Sequence, residues 1–136
     1  MAEYTEQRNR DFMKAVKREI TEHYERGGKV KVDRVIRAVL ERGAPGYYVS
    51  YRYARRAVGD LMARGVIERY EGKLRRQSRR DMMIEIGRKC KVIMEKRGVN
   101  LGRALTDVLA GGMASSFFMT MGYAKQVYYR EMGMRR

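Results

Sequence analysis

Apolar residues recur at every third or fourth position along most of the chain, the spacing that puts them on one face of an α-helix. In the first half such stripes cover residues 12–24, 32–40 and 54–62. Ser50 precedes the third stripe as a favourable helix N-cap. Gly65 follows it, where a left-handed C-terminal cap is expected. The first half therefore predicts three helices.

The second half repeats this pattern at a fixed distance. The segment YYVSYRYAR at 47–55 matches FFMTMGYAK at 117–125, and position 117 lies 70 residues after position 47. At the same distance, RDFM at 10–13 matches RDMM at 80–83. A long internal repeat indicates copies of one supersecondary unit that share a core. We therefore predict an all-α protein built as a tandem duplication of a three-helix unit, with six helices.

The predicted domain boundaries follow the repeat. Residues 1–70 are the first three-helix repeat, 71–80 a basic linker or wing, and 81–136 the second three-helix repeat. In the second copy, Asn100 and Thr120 are the predicted N-caps of its second and third helices.

The third predicted helix, 50–64, carries positive charge on the face opposite its apolar stripe. Arg52 and Arg56 lie on that outward face, Arg55 lies on its flank, and small residues follow. Planar guanidinium groups suit phosphates and guanine edges. With the preceding helix 33–42 and a short turn, this arrangement predicts a helix-turn-helix order.

The segment LMARGVIERYEGK at 61–73 resembles the end of a winged-helix recognition helix and its first wing strand. The resemblance implies a small β-hairpin wing near 66–76 that contacts sugar-phosphate; the alternative is a basic linker that makes the same contacts. The basic residues of this region complete the predicted nucleic-acid-binding set: Lys73, Arg75, Arg76, Arg79 and Arg80.

Charge adds a class of partner to this picture. The chain has 31 Lys and Arg against 16 Asp and Glu, a formal net charge of +15. Such an excess repels itself in a compact fold, so its usual use is to bind a polyanion. We predict a nucleic-acid-binding protein, regulatory or architectural, that binds double-stranded DNA in preference to RNA, mainly through phosphate contacts. A membrane is not an expected partner, since no apolar stretch approaches the roughly 18 residues that a spanning helix needs.

The corresponding face of the second copy has lost both arginines and carries Gly122, Gln126, Tyr129 and Gly133. A glycine-bearing face can pack closely on another helix, so a homodimer or a protein partner through the second repeat is an open alternative. The matching alternative function is a structural or adaptor protein of a nucleoprotein or virion-like assembly, acting through protein contacts.

Two aromatic pairs, Tyr47-Tyr48 and Phe117-Phe118, stand just before the third helix of each copy. They could stack on bases. We favour the interpretation that they belong to the core, because the second pair is phenylalanine and such a position suits a hydrophobic staple. The tyrosine hydroxyls would still be able to reach a phosphate.

Catalysis is not predicted, and neither a cofactor nor a metal site is expected. The single histidine, His23, lies on a charged helix, and no cluster has metal-ligand spacing. Asp11 and Asp81 recur in both copies, and a carboxylate nuclease is the enzymatic alternative. Each aspartate is instead expected near a helix start, where the helix dipole favours it.

One cysteine, Cys90, falls on an apolar stripe and is predicted to be a core residue in a reducing compartment. The N-terminus is polar and unlike a signal peptide. We therefore expect a cytoplasmic protein.

Overall fold

A computed structural model describes residues 2–70 and 75–133 of the chain. These two ranges contain seven α-helices and no β-strand. The helices are α1 Ala2–Glu25, α2 Val32–Glu41, α3 Tyr51–Ala63, α4 Val66–Arg69, α5 Arg79–Arg97, α6 Leu101–Gly111 and α7 Met121–Glu131. The all-α prediction is confirmed, and the six expected helices are joined by one further short helix, α4.

The predicted helix caps are present. Ser50, Asn100 and Thr120 each accept a hydrogen bond from the backbone N–H three residues later, at 3.1, 2.9 and 3.1 Å respectively. Each bond satisfies one of the N–H groups that a helix start leaves without an intrahelical partner. Gly65 has a φ of 72°, so α3 ends in the left-handed turn that glycine permits.

The proposed wing does not form as a strand where the structure describes it. Val66–Arg69 is the helical turn α4, and Ile67 within it is buried. The turn directs Ile67 onto α5, where a Cβ added at Gly87 would lie 2.6 Å from the Ile67 Cδ1 atom. The predicted strand at 66–69 is therefore wrong, because core packing favours one helical turn. The rest of the candidate hairpin, 71–74, lies outside the described residues.

The helices pack in two groups that cross the predicted repeat boundary. The first group is α1, α2 and α7, and the second is α3, α5 and α6, joined by α4. Across the described residues, no Cα atom of α2 comes within 8 Å of one in α3. The predicted order of a helix, a turn and a second helix is present as α2 and α3, but the two helices do not pack on each other, so a helix-turn-helix motif is not supported. The apolar face of α3 is covered by α5 and α6 instead.

One antiparallel backbone bridge joins the loops before α3 and α7. Ala44 N–H donates to the Ala114 carbonyl at 2.9 Å, and Ala114 N–H donates to the Ala44 carbonyl at 3.0 Å. The two alanines are 70 positions apart, the offset of the sequence repeat. The duplication and its division into 1–70, 71–80 and 81–136 stay predictions. In terms of that predicted repeat, each third helix packs on the first two helices of the other copy.

The aromatic pairs are mostly inside the core. Tyr47, Phe117 and Phe118 are buried and Tyr48 is half-buried. The rings of Tyr48 and Phe117 stack with centroids 6.2 Å apart. These buried rings are not available to bases, so the core interpretation is confirmed.

The hydroxyls of both tyrosines are also occupied. Tyr47 donates to Glu85 Oε2 at 2.7 Å, and Tyr48 donates to Asp11 Oδ2 at 2.6 Å. A phosphate contact through these hydroxyls is therefore not made in this fold. Asp11 lies in the middle of α1, so its predicted place near a helix start is wrong. Asp81 is in the first turn of α5, where its carboxylate accepts from the Ser78 N–H in a capping box.

Candidate nucleic-acid interface

Helix α3 presents its arginines to solvent because its other face is fixed in the core. Ala54, Val58 and Leu61 are buried, which turns Arg52 and Arg56 outward. The small residues beyond them are less open than the sequence suggested. A Cβ added at Gly59 would lie 3.7 Å from the Leu101 Cδ2 atom, so α6 covers that part of the face.

Arg55 lies on the flank of α3, as predicted, and beside the first turn of α6. A Cβ added at Gly102 would lie 3.1 Å from the Arg55 Nη1 atom. Tyr51 donates a hydrogen bond to the Gly102 carbonyl at 3.4 Å. Arg55 is still exposed, so its guanidinium extends the charged face of α3 toward α6.

The first turn of α5 adds a fourth arginine to this surface. The guanidinium carbon of Arg79 lies 5.3 Å from the centre of the Tyr53 ring on α3, within the range of a cation–π contact. The packing thus joins two predicted site regions that are distant in sequence. We call these four residues the arginine surface: Arg52, Arg55, Arg56 and Arg79.

The arginines of this surface have no carboxylate close by in the described part of the chain. Among the residues that the structure describes, none of its four guanidinium groups has a carboxylate oxygen within 4.0 Å. The acidic residue of α3, Asp60, lies toward the other end of the helix and pairs with Arg64 at 3.3 Å. The positive charge of this surface is therefore not neutralised by any carboxylate of the described residues.

The remaining predicted site residues lie elsewhere. Arg75 and Arg76 line a groove with Arg37 and Glu41. Arg76 is half-buried and donates to the Ser115 carbonyl at 3.2 Å, so it also attaches the linker to the loop before α7. Its φ of 59° places it in the left-handed region that is uncommon for a side-chain-bearing residue.

Arg80 and Lys73 complete the predicted site set. Arg80 is exposed in the first turn of α5, and Lys73 lies outside the described residues. The predicted site set therefore divides between the arginine surface, the groove of Arg75 and Arg76, and these two flanking positions.

The sequence did not identify two further arginines as candidate site residues. Arg37 joins the groove of Arg75 and Arg76, and Arg8 lines a small pocket with Arg79. Arg8 could have been found, because it continues the i, i+4 apolar stripe of Phe12 and Val16 on α1. An arginine in register with a core stripe must lie where the core opens to a cleft. Nothing local marks Arg37.

The cations of α7 are arranged differently from those of α3. Lys125 lies 3.3 Å from an Asp33 oxygen, and Arg130 lies 3.6 Å from Glu131. Gly122 and Gln126 are exposed on the outer face, and Tyr129 is half-buried. Helix α7 therefore has fewer cations without a carboxylate partner than α3 among the described residues.

The described residues contain no group of three or more His, Cys, Asp or Glu placed to hold a metal ion. In the same ranges no helix has the length and apolarity to cross a bilayer.

Cys90 is fully buried, and burial raises the pKa of its thiol to about 11. His23 lies 3.7 Å from Glu19, which pairs with Arg42 at 2.9 Å.

No protein-family model matches the chain, and no curated protein or solved structure is significantly similar to it. Function is therefore inferred from the geometry and charge of the surfaces described above.

Proposed function

We propose that the protein binds nucleic acid, double-stranded DNA in preference to RNA, through phosphate contacts made by the arginine surface. The observation that carries this proposal is the set of four arginines on α3 and the start of α5 without a carboxylate partner in the described residues. Arginines held together without counter-charge repel one another. A row of phosphates relieves that repulsion and releases the counterions that DNA carries.

Packing supports α3 as the element that meets the nucleic acid. Its buried face rests on α5 and α6, so the helix is held as a rigid body, and the Tyr53 ring restrains Arg79 beside it. Rigid presentation lowers the entropy cost of binding. In a helix-turn-helix protein the preceding helix would give this support. In this protein α5 and α6 support α3 instead.

Duplex DNA is preferred to RNA for a reason of shape. Sequence-specific RNA binding commonly uses exposed aromatic rings on a sheet or loop that stack on splayed bases. The aromatic pairs before α3 and α7 are in the core, and the described residues form no sheet. The exposed arginines of one helix instead fit a groove and its flanking phosphates.

The test is a fluorescence-anisotropy titration of labelled random-sequence duplex DNA at several salt concentrations, with single-stranded RNA in parallel. Each phosphate neutralised contributes about −0.9 to the slope of log K against log salt concentration, so four arginine contacts predict a slope of roughly −3 to −4 for the duplex. Binding to RNA should be weaker at every salt concentration. No duplex binding at physiological salt would reject the proposal.

A second function, a protein-assembly role, is favoured by one separate observation. Met113 is 63% exposed and Val92 49% exposed, and both line an apolar groove with Ile93 and Val108 between α5 and α6. Exposed apolar patches of this kind occur at protein contacts. Stable oligomers in sedimentation equilibrium, disrupted by Met113→Glu, together with weak duplex binding would favour this role.

A further inference from the structure

A small pocket lies next to the arginine surface, where α1, the start of α5 and the loops before α3 and α7 meet. Arg8 and Arg79 are the charged residues that line it, with Tyr48, Ser116 and Phe118 among its other walls. No carboxylate lines the pocket within the described part of the chain. The pocket therefore holds two positive groups and no negative one.

Arg8 is held in place by its neighbours on α1 and α7. Its guanidinium carbon lies 5.2 Å from the centre of the Tyr123 ring, and its Nε donates to the Asn9 side-chain oxygen at 3.2 Å. Within the described ranges it forms no ion pair. Burial, with the nearby charge of Arg79 as a lesser cause, lowers the pKa of Arg8 below its ordinary value. A half-buried cation without an anion is a costly arrangement.

Arg79 lines the same pocket from the first turn of α5. Its guanidinium is restrained on the Tyr53 ring at 5.3 Å and makes no hydrogen bond to another described residue. Arg79 is exposed, so an anion can reach it from solvent. Each of the two guanidinium groups thus lies beside a tyrosine ring and makes no ion pair among the described residues.

The nearby hydroxyls do not compete for this role, because they are already bonded within the protein. Ser116 Oγ donates to the Leu40 carbonyl at 3.1 Å and accepts from the Phe118 N–H at 3.2 Å. The Tyr48 hydroxyl donates to Asp11. Recognition in the pocket therefore depends on the two arginines.

We propose that Arg8 and Arg79 form a binding site for one phosphate group. Two guanidinium groups that line one pocket can donate to the tetrahedral oxygens of a phosphate, which arginine binds in a bidentate manner. The inference goes beyond the proposed function, because a free phosphate would bind here whether or not the protein binds nucleic acid. Arg79 belongs both to this pocket and to the arginine surface, so a phosphate of a bound nucleic acid is the other source of the same ligand.

The first arm of the test measures the melting temperature of the full chain in inorganic phosphate and in sodium chloride of equal ionic strength. Phosphate should raise the melting temperature, because a ligand that binds only the native state stabilises it. Arg8→Gln and Arg79→Gln should each weaken phosphate affinity by roughly tenfold, since each removes charged hydrogen bonds. Arg18→Gln, an exposed position on the same helix α1, is the matched control and should keep the wild-type response.

The response to phosphate is compared within each variant, so a change in basal stability caused by losing the Arg8 contact with Tyr123 does not affect the result. Arg8→Lys is the second variant. It keeps the charge but loses the fork, and it should also bind phosphate more weakly than wild type. Equal responses of wild type, Arg8→Gln and Arg18→Gln, or no phosphate-specific effect in the wild type, would overturn the site.

The second arm identifies the source of the phosphate by titrating the same variants with duplex DNA. Loss of both the phosphate response and duplex affinity in Arg8→Gln would assign the site to a nucleic-acid phosphate. Loss of the phosphate response alone would assign it to a free phosphate. A wild type that responds to phosphate but binds no duplex would reject the proposed function and keep this site.

Discussion

At the scale of single residues, Glu85 is a carboxylate in the core. Its Oε2 atom accepts from the Tyr47 hydroxyl at 2.7 Å and from the Ser115 N–H at 3.1 Å, and Ser115 Oγ donates to Oε1. A buried carboxylate needs such donors to offset the loss of water. The network joins the loop before α3, through Tyr47, to α5 and the loop before α7, through Glu85 and Ser115.

Removing the tyrosine hydroxyl tests this network. Tyr47→Phe should lower the free energy of unfolding by roughly 1.5–3 kcal/mol, because it deletes a hydrogen bond to a buried charged group. Urea unfolding followed by circular dichroism measures the change. Duplex affinity should stay at the wild-type value, since the hydroxyl does not face solvent. Unchanged stability together with weaker DNA binding would contradict this role and would indicate that Tyr47 contacts DNA.

Cys90 gives the native state a dependence on high pH. Burial raises the pKa of its thiol to about 11, so the native state holds this proton more tightly than the unfolded state, whose cysteine pKa is about 8.5. Stability is therefore complete below the unfolded pKa and falls as pH rises toward the native pKa. Between about pH 7.5 and pH 10, the free energy of unfolding should fall by roughly 2 kcal/mol from this group.

The measurement is urea unfolding at both pH values for wild type and Cys90→Ala. The variant should be less stable at neutral pH, because it leaves a cavity, but should lose less stability on going to pH 10. Identical pH dependence in the two proteins would show that Cys90 does not cause the effect.

At the scale of elements, sequence reasoning located most helices because their ends carry distinct chemistry. Ser50, Asn100 and Thr120 each cap the helix that follows, as their position before an apolar stripe indicated. Helix α4 was missed because four residues are too few to show a helical period. What decides its conformation is the burial of Ile67 against α5, a contact between residues 20 positions apart at Ile67 and Gly87.

The contact between α4 and α5 predicts a size limit at Gly87. Gly87→Ala should destabilise the protein by roughly 1–3 kcal/mol, because the new methyl group would lie 2.6 Å from Ile67 Cδ1 in a closed core. Ile67→Val removes that atom. The double variant should therefore lose less stability than the sum of the two single variants, as a double-mutant cycle would measure.

Gly122→Ala is the matched control in α7. A Cβ there meets no atom within 4 Å, so the substitution should stabilise the helix by about 0.5–1 kcal/mol through helix propensity. A Gly87→Ala variant as stable as this control would contradict the described packing of α4.

At the scale of the whole molecule, the packing crosses the repeat that the sequence indicates. Helix α3 covers α5 and α6, while α7 covers α1 and α2. Apolar periodicity shows which face of a helix is buried, but the matching helices of the predicted repeat present nearly the same face. The sequence therefore could not tell whether each third helix packs within its own copy or on the other. For the same reason, the order of α2, turn and α3 did not show that these two helices would lie apart.

Exchange of the third helices predicts that the halves depend on each other. Fragments 1–70 and 75–136 should each fail to form a stable folded monomer, since the apolar face of α3 or α7 would lose its partner helices. Mixing them should restore helical circular dichroism and give a one-to-one complex in size-exclusion chromatography. A fragment 1–70 that unfolds cooperatively as a monomer would contradict the crossed packing.

The proposed interface also emerges only at this scale. Sequence reasoning located the arginines of α3 from their helical spacing, and it singled out Arg79 within a basic run. It could not show that Tyr53 and Arg79 would meet, because that contact depends on α5 packing against α3. It also missed Arg8, whose role depends on how α1 approaches the start of α5.

The most direct test of the central claim compares duplex affinity in two variants that lose the same charge. Arg52→Ala with Arg56→Ala removes two arginines that have no carboxylate partner in the described ranges, whereas Lys125→Ala with Arg130→Ala removes two cations of α7 that lie beside carboxylates. The first variant should bind duplex DNA roughly tenfold or more weakly, with a salt slope reduced in magnitude by about 1.8, and the second should lose much less. Equal losses in both variants would mean that binding follows total charge, and would contradict a specific arginine surface on α3.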